Sequence, residues 1–123
     1  MRGLTNSIKK NLKSFKYAFQ GIKFLVKEEN NFRYHLLAAM VAITLGFYLQ
    51  VTTTEWLVII IMIGLVLMAE AFNTSLEKLI DILHPELHPK VGKAKDIAAG
   101  AVLLIAIAAA IAGIIIFGAK FYP

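Results

Sequence analysis

The chain has 123 residues, a length for one domain, and 59% of them are hydrophobic, well above the roughly 45–50% of a soluble domain. It has no cysteine and only three histidines, which excludes disulfides and thiolate metal sites and argues against a zinc centre. The net charge of +5 would suit nucleic acid or anionic lipid, and the positions of the charges favour lipid over nucleic acid.

Residues 1–31 are polar and basic. Apolar side chains recur at Ile8, Leu12, Phe15, Phe19, Ile22 and Val26, in steps of four and three, which is the period of one helix face. Lys9, Lys13, Lys16, Lys23 and Lys27 follow a flanking face. The pattern predicts a basic amphipathic helix lying in the membrane interface, apolar side down and ammonium groups towards lipid phosphates. The alternative, a helix packed on a soluble core, fits poorly with the membrane-like remainder. No short apolar core leads to a small-residue cleavage site, so no signal peptide is expected.

A first span is predicted over 32–51, with its apolar centre from Leu36 to Leu49, short for a bilayer needing about 20 apolar residues. A second is predicted over 55–83. Its apolar run goes from Trp56, placed as an interfacial aromatic anchor, to Ala69. Pro85 and Pro89 mark a loop. A third span is predicted over 93–119, and its uncharged run from Ile97 to Phe117 is long enough to cross outright. Its small residues, Gly100, Ala106, Ala109, Ala112 and Gly113 among them, permit close helix packing. Three short spans bury little surface within one chain, which favours an oligomer.

Eight of the thirteen Lys and Arg residues precede the apolar centre of the first span at Leu36, and Lys78, Lys90, Lys93 and Lys95 lie around the second connection. The turn Thr52-Thr53-Thr54-Glu55 has none, and only Lys120 follows the last span. Positive loops stay in the cytoplasm. The expected protein is an all-α, multi-pass protein of the cell membrane, a single domain over 1–123. Its N-terminus and second loop are cytoplasmic and its C-terminus is external.

Glu70, Asn73, Glu77 and Asp81 are three, four and four residues apart and form one polar stripe on a helix. Glu70 follows a fourteen-residue apolar run. A carboxylate at that depth must face protein or water, which makes it a functional candidate. Asp81 reads equally as a solvated helix end. Glu28 and Glu29 precede the first span and Asp96 the third, all on the same side. Oxygen ligands without cysteine suit Mg²⁺ held by one or two carboxylates and substrate phosphates. Lysines nearby could bind phosphate as point charges. There is no GxxxxGK[ST] loop and no GxGxxG, so any ATP site is built from helix surfaces.

Four stretches together resemble the small prokaryotic diacylglycerol kinase and undecaprenol kinase family. They are Glu70-x-x-Asn73-Thr74-x-x-Glu77-x-x-x-Asp81, Ala94-Lys95-Asp96 with Ala98 to Leu103, Glu29-x-x-Phe32-Arg33, and Tyr17 to Ile22. The resemblance covers nearly the whole chain. It implies a homotrimer with active sites shared between subunits, ATP and Mg²⁺ as co-substrate and cofactor, and a membrane lipid alcohol as acceptor. It implies Glu70 as general base, Glu29 and Glu77 as metal ligands, and Tyr17, Lys95 and Asp96 at the nucleotide, with Glu86, Leu87 and His88 closing over it. Lys10 would bind phosphate and lipid, where some members have Arg and its bidentate fork. Glu70 and Ala99 would face the lipid, and Asn73, Asp81 and Arg33 would support the site. Residues Phe32 to Ala39, and Asp81 followed by Pro85, Glu86 and Pro89, look like the undecaprenol kinase branch. Undecaprenol is therefore the expected acceptor and diacylglycerol the alternative. A non-enzymatic membrane subunit would explain the spans but not the acids gathered on one side. A proton-translocating subunit would favour a lone carboxylate near the bilayer midplane.

Overall fold

The structure, a computed structural model, describes residues 1–86 and 88–122. They form four α-helices: α1 (Arg2–Glu28), α2 (Asn30–Tyr48), α3 (Thr53–Leu83) and α4 (Pro89–Phe121). At 1.5 Å per residue, α3 with 31 residues is about 46 Å long and α4 with 33 about 50 Å. Both are long and apolar enough to cross a membrane. Both also exceed the ~30 Å hydrocarbon core, so polar ends are left over for the interface. α2 has 19 residues and opens on Asn30, Asn31 and Arg33, and it does not meet the same measure.

α1 has no buried residue, and Leu12, Phe15 and Phe19 stand exposed along its apolar face. It is therefore not a helix packed on this chain's own core. α1 and α2 meet at a sharp joint, where Glu29 alone is extended (φ −109°, ψ 109°). The sequence pattern carries the first helix to residue 31, but the break falls at Glu29. Arg33 explains it: its guanidinium donates to the carbonyls of Val26 (3.4 Å) and Lys27 (2.7 Å) and to the side chain of Asn30. Carbonyls left open by the end of α1 are thereby satisfied.

α2 closes in a Schellman motif. Val51 N–H donates to Gly46 O (3.1 Å) and Gln50 N–H to Phe47 O (3.3 Å), with Gln50 in the left-handed region (φ 52°). α3 follows at once behind a capping box, in which Thr52 and Glu55 exchange side-chain-to-backbone hydrogen bonds (3.2 and 2.9 Å). At this end Val51, Ile59 and Ile116 form a small core with Trp56 and Phe117 against it. Trp56 is thus a packing residue as well: its ring sits 4.8 Å from that of Phe47 and lies over Gly46. Lys120 pairs with Glu55 (3.1 Å) and ties the end of α4 to the start of α3.

α4 begins at Pro89, four residues before the expected boundary. Pro89 opens the helix rather than belonging to a loop, because a proline at the first helical position loses no intrahelical bond. His88 caps it, its Nδ1 accepting from Lys90 N–H (3.2 Å). α3 and α4 pack along most of their length and α2 lies against both. Much of the apolar surface of α3 and α4 is nevertheless exposed, including Leu104 and Ile114 at 72% each, which is the outside of a chain solvated by lipid or by further copies.

Candidate active site

Among the described residues three polar side chains are buried in this otherwise apolar bundle: Glu70 (3% exposed), Asn73 and Thr74. All come from the polar end of α3 at i, i+3 and i+4, so one helix face turns them inward together. Glu70 Oε2 lies 3.7 Å from Nε2 of His35 on α2. Asn73 Nδ2 donates to Glu77 Oε1 (3.5 Å), one turn further along. Asn73 Oδ1 is fully buried and has no hydrogen-bond partner among the described residues. Leaving such an acceptor unmet costs about 1–3 kcal/mol, and a ligand can supply the missing donor.

Glu29 joins this cluster from the α1–α2 joint. Its Oε1 is 3.5 Å from Lys78 Nζ, and the same ammonium lies 4.8 Å above the ring of Phe24. Lys78 therefore pins the last turn of α1 to α3. Glu29, Glu77 and His35 all lie within electrostatic reach of the Glu70 carboxylate. Asp81, further along the stripe, is exposed and pairs with Lys95 of α4 across the α3–α4 connection.

The structure thus brings Glu29, Glu70, Asn73 and Glu77 into one region, with Arg33 bracing the joint that carries Glu29. Lys95 and Asp81 come together as a pair. Lys10 and Tyr17 are exposed on α1 and make no hydrogen bond or ion pair with the acids among the described residues. Glu86, Asp96 and Ala99 are exposed, and His88 serves as the cap of α4. Leu87 lies outside the described residues. Sequence reasoning gave no site role of their own to His35, Thr74 and Lys78. Thr74, at i+4 from Glu70, carried a readable signal in its spacing, and His35 shared its register with Ala39 and Ala42.

Among the described residues no three metal-ligating side chains gather at one point. Mg²⁺ needs fewer, since it binds through one or two protein carboxylates and takes its other ligands from water and phosphate oxygens. Glu29 and Glu77 are the carboxylates around Glu70, and Asn73, which donates to Glu77, keeps its Oδ1 without a partner among the described residues. An apolar groove of about 210 Å³ between α2, α3 and α4 runs from His35 to Phe117. The cluster offers a buried carboxylate at Glu70, two further carboxylates at Glu29 and Glu77, and lysines at the same end of the bundle.

A family model described as prokaryotic diacylglycerol kinase matches residues 16–117. An undecaprenol kinase of Bacillus subtilis is 36% identical over 112 residues, 91% of each chain. A diacylglycerol kinase of Haemophilus influenzae is 35% identical over 120 residues, 98% of this chain and 96% of its own. A diacylglycerol kinase of Synechocystis is 38% identical over 103 residues, 83% of this chain and 59% of its own longer chain.

Proposed function

The chain belongs to the prokaryotic diacylglycerol kinase family and is a membrane lipid kinase, and from that premise we propose that it transfers the γ-phosphate of ATP to the hydroxyl of undecaprenol. One observation carries the reaction class: a carboxylate, Glu70, buried at the polar end of a helix long and apolar enough to cross a membrane. The relative named undecaprenol kinase, matched over 91% of both chains, supports the acceptor. The Haemophilus relative, matched over nearly its whole length, favours diacylglycerol as the second reading.

In this reading the lipid hydroxyl reaches Glu70 from the bilayer, and Glu70 takes its proton as the oxygen attacks the γ-phosphate. Glu29 and Glu77 would hold Mg²⁺, which when bound offsets charge on the phosphates. Asn73 keeps Glu77 in place. Lys95 and Asp96, with Tyr17, Lys10 and the 86–88 segment, serve the nucleotide. Lys10 and Tyr17 make no hydrogen bond or ion pair with the acids among the described residues, and the flanks of α3 and α4 are apolar and exposed. Both facts support a homotrimer that completes each site with a neighbour's helix. The Lys and Arg distribution supports three spans, with α2 as the first, a cytoplasmic site and an external C-terminus.

Purified protein in detergent micelles, given Mg²⁺ and ATP labelled at the γ-phosphate, tests the acceptor with undecaprenol and diacylglycerol side by side. Faster labelling of undecaprenol is expected. Faster labelling of diacylglycerol establishes the second reading, and labelling of neither refutes both.

A further inference from the structure

The apolar groove ends at His35, the one polar side chain among its described lining residues, and that imidazole faces Glu70. Among the described residues the Glu70 carboxylate accepts no hydrogen bond, and the His35 imidazole, 3.7 Å away, is the one basic group close to it. The other donors near it are committed elsewhere: Asn73 Nδ2 to Glu77, and Lys78 to Glu29. A buried carboxylate held by nothing is costly and has no fixed direction. A base is effective only when a third group orients it.

We propose that His35 is a positioning residue for phosphoryl transfer: its Nε2–H holds Oε2 of Glu70 and leaves Oε1 turned to the lipid hydroxyl arriving along the groove. This rests on Glu70 being the base. The separation of 3.7 Å exceeds a hydrogen bond by a few tenths of an ångström, and a small side-chain rotation closes it once substrate is in place. His35 is suited to the movement. Its side chain is 25% exposed, and its neighbours on the inward face of α2, Ala38 and Ala39, leave room for the ring.

The step balances without His35 changing state. The O–H bond of the lipid breaks and its proton goes to Oε1 of Glu70. The freed oxygen forms a bond to the γ-phosphorus. The bond from that phosphorus to the bridging oxygen breaks, and its electron pair leaves with ADP. Glu70 then gives its proton to water, and His35 keeps its own throughout.

The test compares His35→Leu, His35→Gln and Glu70→Gln as purified oligomers in micelles, reading kcat, lipid KM and Mg²⁺-ATP affinity. Misplacing a reacting group by about 1 Å costs up to about 100-fold, so His35→Leu is expected to lose roughly 10–100-fold in kcat, with KM and nucleotide affinity within about twofold of the parent. His35→Gln places an amide N–H where Nε2–H was and is expected to recover most of that loss. Where Leu disturbs assembly, His35→Ala set against His35→Gln reads the same difference. Full kcat in the Leu variant overturns the proposal, as does a rise in KM alone or a Gln variant as slow as the Leu one. An inactive Glu70→Gln beside a fully active His35→Leu would remove His35 and leave the base reading standing. An active Glu70→Gln would remove both.

Discussion

Replacing Glu70 with Gln isolates the proton-accepting role proposed for this side chain. The two side chains have nearly the same volume, and the amide oxygen still offers His35 an acceptor at the position of Oε2. The substitution also removes a charge from a site that is 3% exposed, which relieves desolvation rather than adding to it. Assembly and Mg²⁺-ATP affinity are therefore expected to hold. The amide cannot take a proton at neutral pH. Loss of a general base costs roughly 10²–10⁴-fold in rate, or about 2.7–5.4 kcal/mol at 1.36 kcal/mol per decade. The burial of Glu70 places the expected loss in the upper half of that range, because little solvent reaches the carboxylate to act in its place. Transfer of labelled phosphate to lipid, oligomer size and nucleotide binding should be measured on the same preparation. Turnover within tenfold of the parent would refute the base role. A loss that came with collapse of the oligomer or of nucleotide binding would refute the separation of chemistry from structure on which it rests.

Glu29→Gln and Glu77→Gln each remove a carboxylate proposed as a metal ligand and are expected to weaken Mg²⁺-ATP binding by about tenfold or more, about 1.4 kcal/mol. Titration of nucleotide with and without Mg²⁺ checks this, and unchanged affinity in both variants would make these acids structural. Gly46→Ala puts a Cβ 2.5–3.0 Å from three atoms of the Trp56 ring, so a stability loss of about 1–3 kcal/mol is expected in thermal or denaturant unfolding, with the effect absent in a variant that also shortens Trp56. Gln50→Gly relieves a side chain held at φ 52° in the Schellman turn and is expected to stabilise by about 1 kcal/mol, read as a rise in Tm. Reporter fusions at the two ends should fall on opposite sides of the membrane, N-terminus inside, and ends on the same side would remove the three-span arrangement.

How much of this molecule is legible in its sequence depends on whether a signal is carried by one helix or by two. The amphipathic α1, the long apolar α3 and α4, and the polar stripe Glu70-Asn73-Glu77-Asp81 all repeat along a single helix, so periodicity and run length are enough to find them. Even there, periodicity does not separate the buried Glu70 and Asn73 from the exposed Asp81, because depth is set by what packs on the stripe. The joint at Glu29 has neither Gly nor Pro to mark it. It is made by Arg33 reaching back to carbonyls six and seven residues earlier. Pro89 is ambiguous by nature, since the same residue closes one helix or opens the next, and the N-capping His88 decides which. His35 is hidden for a deeper reason. α2 is apolar on most sides of Leu36 to Leu49, so no hydrophobic face declares which side meets α3. Only the packing of Ala39 and Ala42 against α3 and α4 aims position 35 at position 70. A contact of this kind belongs to the pairing of two helices rather than to either one. That is why the carboxylate could be named from the chain alone and the group facing it could not.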